Sequence, residues 1–195
     1  MPSIKSAFGL IALIFYGSTC FAQANTPNQF PGRRVGGGTR GECTSRLIAH
    51  LVPASNIQGV TAGQPVKLAL LQGPSPQPYP LVLNLQGVRS YQLEPQPIGV
   101  RLLTLPPIKQ DSRWESSYLC PGGQAPSGDP LGFVTTASPP ALSLVQIGVA
   151  VSPLLKQLAA NCGASVATAE LRGLLGADVL PSDWPEQLPV RCQQL

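Results

Sequence analysis

Positions 32–41, which read GRRVGGGTRG, carry the side chains best suited to bind an anion. Glycine lets neighbouring backbone amides converge on an anion, and an arginine side chain binds carboxylate or phosphate through two parallel hydrogen bonds. We expect Arg33, Arg34 and Arg40 to contact an anionic glycan, a lipid head group or an acidic partner. The alternative is a tight glycine turn whose arginines are solvated.

Within the same segment, residues 36–41 match the dinucleotide-binding pattern G-x-G-x-x-G. That pattern holds a dinucleotide where it follows a buried strand and opens a helix. Here a polar stretch precedes it, so the context does not fit. We predict no dinucleotide and no other cofactor.

The sequence contains one histidine, His50, inside the apolar segment 46–52. A Ser-His-Asp triad would have to use this imidazole, and the nucleophile motif G-x-S-x-G does not occur in the sequence. The nine acidic residues are scattered, and none stands out as half of a catalytic pair. We therefore expect His50 to be a satisfied core or edge residue, and we predict no catalytic residue.

Four of the five cysteines follow residues 1–24, the predicted signal peptide described below, and an even number in an exported protein indicates disulfides. Three pairings are open. We favour Cys43–Cys120 with Cys162–Cys192, because each pair closes a loop within one of the two regions described below. No two cysteines have the C-x₂₋₄-C spacing of a zinc site, so we predict no metal site.

Residues 1–24 have the composition of a signal peptide. Lys5 supplies the positive charge, residues 7–16 form the apolar region, and a small-x-small pattern ends at Ala24. We predict an exported protein, periplasmic or extracellular, whose mature chain begins at Asn25 and has no transmembrane segment. The modest net charge of +4 argues against a nucleic-acid partner.

The rest of the chain alternates short apolar runs with turns. It has 22 prolines and 20 glycines, yet 43% of its residues are hydrophobic, which favours a folded domain over a disordered chain. After a disordered leader at 25–31, the pattern predicts a mainly β, antiparallel sandwich-like domain over 32–151, with a turn-rich stretch at 57–64. The predicted strands are 46–52, 66–72, 81–85, 90–93, 98–105, 113–120, 131–136 and 142–151. In 113–120, Trp114, Ser116, Tyr118 and Cys120 alternate with the other four residues, which predicts a half-buried strand with these four facing the interior.

The character of the sequence changes at residue 152, where a helical C-terminal tail (152–195) is predicted. Ser152 and Pro153 suit the N-cap and the first position of a helix that ends near Asn161. A second helix fits 167–175, where leucines recur on one side. Cys192 is expected to tie this tail back to Cys162.

Three stretches carry a resemblance to a known family: 32–43, the pair 97–100 with 103–106, and Trp114 with Tyr118-Leu119-Cys120. Together they resemble an exported cyanobacterial family catalogued as domain of unknown function nine hundred and twenty-eight, over about residues 32–145. The resemblance implies an N-terminal β domain, export and a Cys43–Cys120 bridge. It implies no reaction, ligand or catalytic residue.

These observations predict a non-enzymatic accessory protein that binds another envelope or secreted component, either a protein or an anionic cell-surface glycan. The alternative is a carbohydrate-binding or polysaccharide-hydrolysing envelope protein. That alternative needs Trp114, Tyr118 or Trp184 to be exposed, because sugar rings stack on aromatic side chains. A third hypothesis is a purely structural envelope protein.

Overall fold

A computed structural model of the chain describes residues 32–36, 47–75, 77–119, 140–175, 180 and 182–195. These residues form two stacked β-sheets and two short helices, which confirms the predicted mainly β, sandwich-like fold. The predicted signal peptide, leader and strand 131–136 lie outside the described residues, as do Arg40, Cys43 and Cys120.

The first sheet has six strands. In spatial order they are β1 (Val35–Gly36), β2 (Ile48–His50), β4 (Val66–Gln72), β7 (Gly99–Leu105), β11 (Gln187–Gln194) and β10 (Ser165–Ala167). The second sheet has five: β3 (Ile57–Val60), β9 (Ala141–Ile147), β8 (Ser112–Tyr118), β5 (Leu81–Leu85) and β6 (Arg89–Leu93).

Both sheets are mixed, which corrects the expectation of a purely antiparallel sandwich. Strand β3 runs parallel to β9, and β11 runs parallel to β7. Strands β3 and β11 are also two that the sequence patterns did not predict. Parallel partners are never joined by a tight hairpin, so no turn signal marks such a pair in the sequence.

The six-stranded sheet is covered on both faces. Strand β4 shows why its sequence reads as a nearly continuous apolar run: Leu68 and Leu70 pack between the sheets, while Ala69 and Leu71 pack against the helices. In the five-stranded sheet, β5, β8 and β9 alternate buried residues with more exposed ones, whereas all four residues of β3 are buried. In β8, Trp114 and Ser116 are buried while Arg113 is exposed, as the alternation predicted.

The two helices are α1 (Pro153–Ala160) and α2 (Thr168–Leu175), where the sequence predicted them. Ser152 is the N-cap of α1 by position, although its side chain makes no capping hydrogen bond. The tail also supplies strands β10 and β11, which complete the six-stranded sheet. Pro189 inside β11 lacks an N–H for the sheet, which is why the sequence there did not resemble a strand.

Candidate functional site

The two described arginines of the glycine-rich segment have different surroundings. The backbone of Arg33 pairs with Leu142 at the edge of β9, with N···O distances of 2.9 and 2.7 Å, and its side chain is exposed. Arg34 is half-buried, and its Nη1 donates to the carbonyl of Leu174 near the C-terminal end of α2, 3.3 Å away. A cation is stabilised there by the helix dipole. The anion contact expected of Arg33, Arg34 and Arg40 stays a prediction.

His50 lies on β2 and reaches across the sandwich into the five-stranded sheet. Its ring stacks on Trp114 with the centroids 3.4 Å apart and an interplanar angle of 6°. Its Nδ1 lies 2.8 Å from the Ser143 hydroxyl, and its Nε2 lies 2.6 Å from the Ser116 hydroxyl. We call these four residues the His50 cluster.

The His50 cluster is closed to solvent and electrically neutral. The ring of His50 is 0% exposed, and burial lowers its pKa well below the ordinary value of 6.5. One ring nitrogen therefore donates to one serine, and the other accepts from the second. Within the described part of the chain, no carboxylate is hydrogen-bonded to this ring. His50 is the satisfied core histidine that the sequence favoured over a general base.

Neither of the two tryptophans is open to solvent. Trp114 is 0% exposed and lies between the sheets, and Trp184 is 8% exposed and lies beneath the helices. Tyr118 is half-buried, and its hydroxyl donates to the Leu47 carbonyl at 3.2 Å. Burial of both indoles removes the main support for the carbohydrate alternative.

The predicted disulfide Cys162–Cys192 is present, with a Cα–Cα distance of 5.6 Å. It joins the turn after α1 to strand β11. The other predicted pair, Cys43–Cys120, lies outside the described residues. Across the described ranges there is no group of three or more His, Cys, Asp or Glu side chains placed to hold a metal ion.

A pocket of about 480 Å³ opens beside the disulfide, at the end of the six-stranded sheet's helix-covered face. Lys67, Thr104 and Gln194 line it from β4, β7 and β11. Lys67 is directly opposite Thr104, and Thr104 is directly opposite Gln194, so the three side chains form one row on the same face. We call this row the polar floor.

Apolar side chains form the wall next to the polar floor. Leu102 precedes Thr104 by two residues on the same face of β7, and Leu155 and Ala159 face it from α1. The disulfide closes this side. The opposite wall is the segment after β3, where Thr61, Gln64 and Pro65 line the pocket.

Gly59 is the residue that lets the two walls approach each other. A Cβ at this position would overlap the backbone carbonyls of Val149 and Ala150. Because the glycine has none, the segment that leads into α1 lies directly against β3, and Val151 reaches the pocket. The chain thus places an apolar helix and a polar loop on either side of the floor.

A second buried titratable residue, Arg101 on β7, was not singled out by the sequence. Its Nη1 donates to the Glu94 carbonyl at 2.9 Å, and its Nη2 donates to Gln193 Oε1 at 2.8 Å. Burial and then the nearby positive charge of Arg191 lower its pKa to about 10, so the guanidinium stays charged at neutral pH. No carboxylate pairs with Arg101 in the part of the chain that the structure describes. Amide and carbonyl oxygens instead hold this arginine in a structural role.

Comparisons with family models, with curated proteins and with solved structures give no match to this chain. The family resemblance over about residues 32–145 therefore stays a prediction. No helix among the described residues combines the length and the apolar content needed to cross a membrane.

Sequence patterns alone missed the pocket. The one local signal was Lys67, a charged residue inside the apolar run VKLALLQ and the only exposed residue of β4. Thr104 and Gln194 carry no such mark, because a polar residue near the end of a strand is ordinary. Their alignment with Lys67 depends on the register of three strands that are far apart in the sequence.

Proposed function

We propose that this chain is an exported, non-enzymatic binding protein that engages another component of the cell envelope or a secreted component, and that the pocket beside the disulfide is its ligand site. One observation carries the proposal. On a sheet face largely buried under the helices, the polar floor is left uncovered next to an apolar wall. Small-molecule sites commonly combine an apolar lining with a few convergent polar groups in about 300–1,000 Å³.

The two buried titratable side chains among the described residues, His50 and Arg101, support the same choice of site. The hydroxyls of Ser116 and Ser143 occupy both nitrogens of His50, and Arg101 is held by oxygens of its own chain. Neither His50 nor Arg101 lines the pocket beside the disulfide, whereas Lys67 and Gln194 line it and are exposed. A ligand can reach the second kind of group without unfolding the protein.

The proposal is tested with N-phenyl-1-naphthylamine, a neutral probe that fluoresces when it enters an apolar site. We expect saturable binding to the full-length exported protein. The variant Ala159→Trp fills the pocket and should weaken the affinity by about tenfold or more, because the indole takes the probe's volume. The variant Ala160→Trp alters the neighbouring, exposed position of α1 and should leave the affinity unchanged.

Circular dichroism would establish that both variants are folded. Should Ala159→Trp fail to fold, Thr61→Trp fills the pocket from the opposite, exposed loop. Absence of saturable binding would overturn the proposal. Equal affinities for the pocket-filling variants and Ala160→Trp would overturn it as well, because the probe would then be bound elsewhere.

A further inference from the structure

Among the described residues that line the pocket, Lys67 is the only one with a charged side chain; the others are apolar or uncharged polar. Within the described residues, its ammonium has no carboxylate within ion-pair distance. The pocket therefore presents a positive charge that its own lining does not neutralise. The charge belongs to the polar floor, which lies across the ends of β4, β7 and β11.

The position of Lys67 on β4 explains why its charge is not buried with its neighbours. Lys67, Ala69 and Leu71 share the outer face of the strand, because side chains two residues apart point the same way. Ala69 and Leu71 are buried under the helices, whereas Lys67 is exposed beyond them. An ammonium at this point can therefore keep its water while its stem lies along the pocket floor.

The polar floor and the apolar wall together define the chemistry of a complementary ligand. The ammonium of Lys67 attracts an anionic group, and the Thr104 hydroxyl and the Gln194 amide are placed in the same row to donate hydrogen bonds to its oxygens. Leu102, Leu155 and Ala159 offer apolar contact to the remainder of such a molecule. A neutral ligand gains no charge attraction from Lys67, and a cationic ligand is repelled.

We infer that the pocket selects a small anionic amphiphile, a carboxylate or sulfonate attached to an apolar body, with Lys67 as the residue that binds the anionic group. This inference rests on the proposed function and names the ligand class of the same site. It distinguishes Lys67 from a solvated surface lysine, which would make no contribution to binding.

The test compares two probes that share an anilinonaphthalene body and differ in charge. One is 8-anilino-1-naphthalenesulfonate, which is anionic, and the other is the neutral N-phenyl-1-naphthylamine. We expect Lys67→Met to weaken binding of the sulfonate by about tenfold and to leave the neutral probe unchanged, because only the sulfonate loses a charge-assisted hydrogen bond. Lys67→Arg should restore most of the sulfonate affinity. Added salt should weaken the sulfonate alone.

The matched control is Lys156→Met, which removes an exposed lysine from α1 that does not line the pocket. It lowers the net charge by the same amount, so an equal loss of sulfonate binding would overturn the inference. Competition with decanoate and 1-decanol extends the test to plain alkyl chains. Decanoate should displace the sulfonate probe from the wild-type protein more effectively than the alcohol, and Lys67→Met should abolish that difference.

The outcomes separate the two proposals. If neither probe binds saturably, the proposed function fails, and this inference fails with it. If both probes bind in the pocket and Lys67→Met weakens neither selectively, the pocket stands as a binding site and the anionic ligand class is wrong.

Discussion

The layer between the two sheets and the layer under the helices each contain a tryptophan and a set of polar side chains. The two sets differ in their access to solvent. Between the sheets, the His50 cluster satisfies both ring nitrogens and excludes solvent. On the helix-covered face of the six-stranded sheet, the polar floor lies beyond the area that the helices cover and is accessible to solvent. A buried polar group is therefore not by itself evidence of a functional site. The buried His50 is structural, and the exposed Lys67 is the candidate ligand contact.

The largest expected loss of stability comes from truncating Trp114, in the layer between the two sheets. Replacing this indole with alanine removes the surface on which His50 stacks and leaves a cavity between the sheets. We expect Trp114→Ala to lower the free energy of unfolding by about 3–5 kcal/mol, measured by urea denaturation. Under conditions where the variant is folded, its affinity for the neutral probe should be unchanged.

Val88→Ala is the control for this change, because Val88 is 48% exposed and its truncation should move stability by less than about 0.5 kcal/mol. A Trp114→Ala variant as stable as the control would show that the inter-sheet layer does not depend on this stack. A large loss of probe affinity in the folded variant would instead show that the two layers are coupled.

The next largest effect is expected from removing the disulfide, which lies in the layer under the helices. The bridge spans 30 residues, and its removal should cost about 3–4 kcal/mol by the chain-entropy relation. The double variant Cys162→Ser, Cys192→Ser leaves no unpaired thiol at the site. Because the disulfide also closes the apolar wall, this variant should lose probe affinity as well as stability.

Urea denaturation and probe titration measure the two effects on the same samples. Loss of stability with full probe affinity would remove the disulfide from the binding site and leave it a purely structural bridge. Trp114→Ala provides the contrast, since it is expected to lose stability alone.

The smallest expected effect is a pH dependence of the free energy of unfolding, caused by His50 between the two sheets. Burial lowers the pKa of His50 in the folded protein, while the unfolded chain has the ordinary value of 6.5. Below that pH the unfolded state binds a proton that the folded state excludes, so the free energy of unfolding should fall by about 1.4 kcal/mol per pH unit. Above it, the contribution of His50 is constant.

Chemical denaturation at several values between about pH 7 and pH 5 checks this slope, in a range above the usual carboxylate titrations. His50 is the only histidine in the sequence, so His50→Gln should have no such slope, although it is less stable throughout. The same slope in that variant would assign the effect to another group, and greater stability at low pH would contradict the neutral buried ring.

Local patterns predicted the elements whose partners are near in the sequence. The bounds of β4 and β5 agree with the predicted strands, and β8 buries the face that its alternation indicated. Both helices and the bridge Cys162–Cys192 are also where the sequence placed them. In each case the signal is a periodicity, a proline or a cysteine spacing that lies within a short stretch of chain.

Long-range pairing was the source of the errors. Strand β3 was expected to be a turn-rich stretch, but it is buried because β9, more than 80 residues later, pairs with it in parallel. Strand β11 was not predicted because it contains Pro189 and because its second half is polar. Arg101 resembles a surface residue in the sequence, and Gln72 and Gln193 make its burial possible from two other strands.

The sequence by itself determined the alternation of β8, the positions of the two helices and the identity of the cysteines that close the tail, because each depends on neighbouring residues. Only the tertiary structure decided that His50 is closed between two serines and that Lys67, Thr104 and Gln194 share one row. The physical reason is strand register: a side chain's partners across a sheet, and its access to solvent, are set by strands that lie far away in the sequence. The sequence identified the residues whose side chains could bind or react. Whether a ligand can reach those side chains depends on tertiary packing.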